Sequence, residues 1–289
     1  MTIVDRPSAN RFNNPAPKRT VVGTGSRGSR ILGALALAGS VAVAVLGLLL
    51  TEPDKVINPD TGDVLGQWDA VRLLYVHVPS AIACYAAFSM TAVASAMYLW
   101  KRSRAWDILA YTSAEIGVMF TALMLVTGSI WGKPVWNTWW RWGDARLMTS
   151  LLMLLMYVGY LAFRSVAKQS ESQARQAAVI GLLSALIIPI VNRSVEWWPN
   201  RTIHQKSTFL AGKFDGLTFF TALLSVLVFL AIFAWLAMHR FRLGWMDHQS
   251  SERRLENTIA DRRAEAAEAA ENFARSVAPA ASPTSGEQE

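Results

Sequence analysis

Six apolar runs, each close to the length of a bilayer crossing, constrain this chain more than anything else in it. A helix rises about 1.5 Å per residue, so roughly 20 apolar residues cross a hydrocarbon core of about 30 Å. The segments 31–50, 79–100, 107–130, 147–163, 177–192 and 217–238 meet or approach that length. Lipid offers no partner to a free backbone group, so each crossing must be helical. The expected fold class is therefore all-α, a polytopic membrane protein with six transmembrane helices. The fifth run is the weakest, because it is short and holds Pro189 near one end. The first run exceeds the ~7–15 apolar residues of a secretion signal and reads as a retained anchor. Composition agrees: only 17% of the 289 residues are charged, against roughly 25% in a soluble domain.

Lysine and arginine set the expected orientation. Nineteen of the 28 lie in 1–30, 101–106, 164–176 and the segment from 239 onward; nine lie in 51–78, 131–146 and 193–216. The positive-inside rule puts the richer set, and with it both termini, in the cytoplasm. The net charge of +7 is then a topology signal, and no nucleic-acid partner is expected. Residues 1–30 read as a disordered basic cytoplasmic arm, 31–240 as the membrane domain, and 241–289 as a cytoplasmic tail. That tail is helical over about 250–275, with a heptad pattern too weak for a coiled coil, and frayed beyond. The single cysteine, Cys84, excludes an internal disulfide, a CxxC redox pair and a thiolate metal cage. No hydrolytic or redox catalytic constellation stands out, so the chain is not expected to be an enzyme.

The chemistry concentrates in one connection. Trp131, Trp136, Trp139, Trp140 and Trp142 fall within twelve residues, and Trp68, Trp197 and Trp198 bring the outer-side total to eight of 12. Two readings stand: an aromatic belt at the headgroups, or a flat platform open to a planar apolar ligand. Lys133, Arg141 and Arg146 are placed to pair with carboxylates, the arginines in bidentate fashion. Of the four histidines, His239 and His248 sit among Arg240, Arg242 and Asp247 and read as a solvated cytoplasmic flank. His77, in Leu74-Tyr-Val-His77-Val-Pro79, and His204, in Glu196-Trp-Trp-Pro-Asn-Arg-Thr-Ile-His204-Gln205, fall on outer loops flanking the tryptophan-rich one. Alone, each reads as a hydrogen-bonded interface histidine. Together, two neutral imidazoles suit the two axial positions of a haem iron, with indoles over the macrocycle and cationic groups at the propionates. Two histidines are too few for a zinc site. Glu115, inside the third run but near its cytoplasmic end, reads first as a polar contact between helices, with a part in haem passage as the alternative.

The stretch from Trp131 to Ser150 resembles the tryptophan-rich WWD signature of haem-handling membrane proteins. Residues from about 31 to 240 are similar to the cytochrome c maturation protein C family, the haem exporter C proteins. Tyr75-Val-His77-Val-Pro79-Ser80-Ala81, Thr127-Gly-Ser-Ile-Trp131-Gly132 and Ser194-Val-Glu196-Trp197-Trp198 carry the likeness, with His204-Gln205. The resemblance implies a bacterial inner-membrane location with the WWD loop, 131–150, facing the periplasm. It also implies haem b held transiently and without covalent bonds between His77 and His204. Trp131, Lys133, Trp136, Trp139, Trp140, Trp142, Asp144, Arg146, Trp197 and Trp198 would surround it. The implied partners are a periplasmic haem chaperone (maturation protein E), a small single-span protein D, the ABC transporter subunits A and B, and membrane lipid. The sequence departs from the family pattern at several places. Gly143 separates Trp142 from Asp144, Met148 interrupts Arg-Leu-Thr-Ser, and Asn137 stands where glycine is common. Arg141 replaces an apolar residue, and Pro199-Asn-Arg201 lengthens the approach to His204. One inserted residue turns a helical face by about 100°, which bears on where Asp144 and Arg146 point. Competing readings are a permease subunit of an ABC-type haem exporter, a b-type electron-transfer cytochrome, and a protein-docking scaffold. The first wants more buried ionisable groups than Glu115, and the second wants histidines at mid-span.

Overall fold

The computed structural model describes residues 26–55, 66–166, 170–204 and 216–277. Among these there is no β-strand, only an isolated antiparallel bridge between Asp54 and Trp68. Six helices are long and apolar enough to cross a membrane. The first comprises α1 (Arg27–Val45) and a wider turn over Leu46–Leu50; the second is α2 (Leu74–Lys101), entered through a tight turn at Asp69–Leu73. α3 (Arg104–Trp136) and α4 (Ala145–Val166) follow. The fifth crossing is shared by α5 (Glu171–Ala185) and α6 (Ile187–Trp197), and α7 (Gly216–Val277) completes the set. The chain divides into two units, Met1–Arg242 and Leu243–Glu289. In the second unit the side chains from Ser251 to Ser276 are exposed. Most of the basic arm and the end of the tail lie outside the described residues.

Two elements run further than their apolar cores. α2 begins five residues before Pro79, so His77 lies inside a helix and not on a loop. A proline that late in a helix forfeits one hydrogen bond, a loss that membrane helices absorb through neighbouring helices and side chains. α3 likewise continues past the hydrophobic run, through Pro134, until Asn137 takes a left-handed conformation at φ 56° and ends it. Trp131, Lys133 and Trp136 are therefore helical, and the true connection is only 137–144. The fifth crossing breaks at Leu186, three residues before Pro189, whose ring excludes the helical carbonyl at 185.

Successive crossings reverse direction. The start of α2, the end of α3, the start of α4 and the end of α6 thus gather at one end, the tryptophan-rich end. The turn at 102–103, the end of α4 and the start of α5 lie at the other. Burial of apolar surface does not by itself drive helices together in lipid, so close fit and polar contacts decide the association. The centre is a stack of Phe88 on Tyr157, ring centroids 3.5 Å apart and 10° from parallel. It is reached because Gly117 has no side chain: a β-carbon there would come within 2.3 Å of the Phe88 ring. Phe233 and Ala237 of α7 join this core, while Val43, Tyr75, Ala222 and Val228 form a smaller cluster between α1, α2 and α7.

The arginine-rich end is held by ion pairs. Asp107, 2% exposed, accepts from Arg104 Nη1 and Arg164 Nη1, each at 2.6 Å. Glu115 receives Arg240 in bidentate fashion, Nε and Nη2 each at 2.7 Å. Of the two roles open to Glu115, this geometry supplies the contact between helices. Asp107→Ala leaves two guanidinium groups facing each other, and a broken buried pair costs about 3 kcal/mol or more. The variant is expected to unfold well below the parent in detergent melts. Arg193→Ala, which removes an exposed pair with Glu196, is expected to shift stability by less than about 1 kcal/mol.

Candidate functional site

His77 is fixed from two sides. Its Nδ1 donates to the Met124 carbonyl at 2.9 Å, and Thr127 Oγ1 lies 3.4 Å from the same nitrogen. The ring lies against Gly128, where a β-carbon would stand 2.7 Å from Cε1. A carbonyl only accepts, so Nδ1 carries the proton and Nε2 keeps its lone pair, the tautomer a metal-binding imidazole needs. Nothing in the local sequence marks Met124, Thr127 or Gly128 for this role, since the contact spans about fifty positions.

His204 is reached by a different route. α6 ends at Trp197, a short turn covers Pro199–Arg201, and Thr202–His204 run back toward α4. The His204 ring comes to 6.1 Å from Trp131 and 5.6 Å from Trp136, centroid to centroid, and those two indoles meet edge-on at 4.7 Å. Gly128 and Trp131 are one turn apart on α3, so His77 and His204 occupy neighbouring stations at the same end of one helix. His204 and Arg146 both lie in the neighbourhood of the His77 imidazole.

The tryptophans divide into two groups. Trp131 is buried and its Nε1 donates to Gln67 Oε1 at 2.9 Å, so it is a structural post and not part of an open shelf. Trp139 and Trp142 are 56% and 77% exposed, and Trp68, Trp197 and Trp198 are also exposed. Ser129 Oγ donates to the Trp139 carbonyl at 2.6 Å and holds that turn to α3. An open groove of about 520 Å³, lined by Trp68, Leu73, Ile130, Lys133 and Trp139, lies beside the start of α2; neither histidine lines it.

Gly143 accounts for the extra residue in the motif. Its φ of 89° lies in the left-handed region, and the turn it makes is closed by Asp144 N–H donating to the Arg141 carbonyl at 3.2 Å. Asp144 then caps α4: its Oδ1 accepts from Leu147 N at 3.0 Å and its carbonyl from Met148 N at 2.9 Å. The insertion thus leaves Arg146 on the first turn of α4, beside the Tyr85 hydroxyl. Arg146 Nε and Trp140 Nε1 are buried with no acceptor among the described residues. Unmet buried donors are costly, and these two suit the carboxylates of an anionic ligand.

The fold and this end together define a class: a polytopic helical membrane protein with histidine and tryptophan side chains gathered at one end of its bundle. Residues 17–257 match the family described as Heme exporter protein C. The Heme exporter protein C of Haemophilus influenzae is 34% identical over 180 residues, covering 61% of this chain and 72% of that protein. That of Escherichia coli strain K12 is 36% identical over 176 residues (61% and 71%), and that of Bradyrhizobium diazoefficiens 36% over 182 residues (63% and 65%). The chain belongs to the Heme exporter protein C family, membrane proteins that handle haem for cytochrome c maturation.

Proposed function

We propose that this chain takes haem as cargo at the periplasmic face of the bacterial inner membrane and presents it, uncommitted by any covalent bond, to a haem chaperone. The observation that carries the reading is the His77 Nδ1–Met124 carbonyl bond, which leaves Nε2 free to bind iron. His204, against Trp131 and Trp136 at the same end, is the second axial ligand. Bound haem supplies an iron with two axial positions, two propionates and an apolar macrocycle. Arg146 and Trp140 turn unmet donors to the propionates, and Trp139 and Trp142 offer the exposed indole surface. Lys133, Trp197 and Trp198 rim the same end. His77 sits in a helix and His204 on a connection, so His204 is the ligand that exchanges at handover. The lysine and arginine distribution supports the orientation. Maturation protein E as acceptor, protein D, and the A and B transporter subunits complete the proposed assembly.

The test is the absorption spectrum of the detergent-purified protein. Bis-imidazole ligation gives low-spin haem, and an unchanged Soret band in the His77→Ala, His204→Ala double variant removes the reading. The exposed shelf has its own test. Replacing Trp139 and Trp142 with alanine is expected to cut haem content several-fold while membrane insertion, followed by protease accessibility, stays as in the parent. Undiminished haem would assign these indoles to the headgroup belt.

A further inference from the structure

Asp144 was expected among the residues that surround the cargo, yet it is 1% exposed and both its carboxylate oxygens are engaged by the protein. Oδ1 accepts from Leu147 N at 3.0 Å and from Thr202 Oγ1 at 3.3 Å. Oδ2 accepts from Ile203 N at 2.7 Å, the shortest of the three. Thr202 Oγ1 in turn accepts from His204 N at 3.1 Å. The carboxylate therefore joins two segments that are some sixty residues apart in sequence. One is the N-terminus of α4, where the helix dipole favours a negative charge. The other is the three-residue run that ends at His204.

We infer that Asp144 is a positioning residue: it does not touch the haem but latches the His204 segment to the start of α4, so that the imidazole is held at the iron. The inference rests on His204 being an axial ligand, as proposed above. Three features support it. A charge-assisted bond to a backbone N–H is about twice as strong as a neutral one. The latch acts on the residue immediately before His204, leaving few free dihedrals between anchor and imidazole. Gly143, by making the turn into α4, is what brings the carboxylate to both partners. An acidic group next to two propionates would repel them. Enclosed by three donors and capping a helix, the carboxylate is satisfied by the protein itself, and Arg146, whose Nε has no acceptor among the described residues, is left for the cargo.

Asp144→Asn separates the latch from the cap. The amide has one acceptor oxygen where the carboxylate has two, so in the orientation that keeps the Leu147 N bond the NH₂ group faces Ile203 N–H, donor against donor. Hydrogen exchange of the haem-free protein is expected to show the Ile203 amide exchanging at least tenfold faster, with α4 amides unchanged. The loaded variant is expected to lose low-spin character as His204 lets go, and added free imidazole is expected to restore it. Thr202→Val, which removes the hydroxyl linking Asp144 to His204 N, should give the same pattern at smaller amplitude. If His204→Ala alters the spectrum while Asp144→Asn leaves both spectrum and Ile203 exchange as in the parent, the latch is wrong and the ligand assignment stands. If His204→Ala itself leaves the spectrum unchanged, the ligand assignment fails, and Ile203 exchange still decides the latch.

Discussion

Purified from cells with ample haem, the His77→Ala protein is expected to carry less than about a tenth of the parent's haem, a loss of at least ~1.4 kcal/mol of binding. Removing the imidazole does not orphan a buried group. The Met124 carbonyl that receives Nδ1 also accepts from Thr127 Oγ1 at 3.2 Å, so the bundle keeps its internal hydrogen bonds. The variant should therefore insert and melt much as the parent does, and the loss should fall on haem alone. His204→Ala is expected to act in the same direction with a smaller retention defect, because His77 still offers one rigid ligand from within α2. Such a five-coordinate species should accept exogenous imidazole. Full haem content in the His77 variant, with the parent's spectrum, would mean that the iron is held by other groups.

The second large effect is expected at Gly128, which does not touch iron. A β-carbon there would meet His77 Cε1 at 2.7 Å, closer than such atoms come, and Nδ1 at a tight 3.1 Å. Alanine is the better helix former by about 1 kcal/mol, so Gly128→Ala does not weaken α3 as a helix. It drives the imidazole off the Met124 carbonyl and costs haem on the scale of a lost supporting contact, about 10–100-fold. Gly159→Ala is the control, because a β-carbon at that position meets nothing within 4 Å. It should leave haem content unchanged. Equal behaviour of the two variants would detach Gly128 from the site.

Much of the architecture was legible in residue order. Apolar runs of bilayer length announced six crossings, and six helices of that kind are present among the described residues. Their ends were less legible, because apolarity stops at the hydrocarbon boundary while helical hydrogen bonding does not. α3 runs on to Trp136 and α2 starts at Leu74, which turns His77, Trp131 and Trp136 from expected loop residues into helical ones. The clustering of tryptophan was plain in the sequence. Its division into buried post and exposed shelf was not, since the burial of Trp131 depends on Gln67 in another segment.

Residue order alone determined that the chain is a bundle of membrane-crossing helices with a tryptophan-rich connection, because length and hydropathy are local properties that lipid reads directly. The tertiary structure alone decided that Met124 and Gly128 set the His77 imidazole, that Glu115 answers Arg240, and that Asp144 reaches across to Ile203. Each of those contacts joins residues some fifty or more positions apart. A hydrogen bond of 2.7–2.9 Å is a condition on distance in space, and spacing along the chain carries no record of it until the helices have found their neighbours.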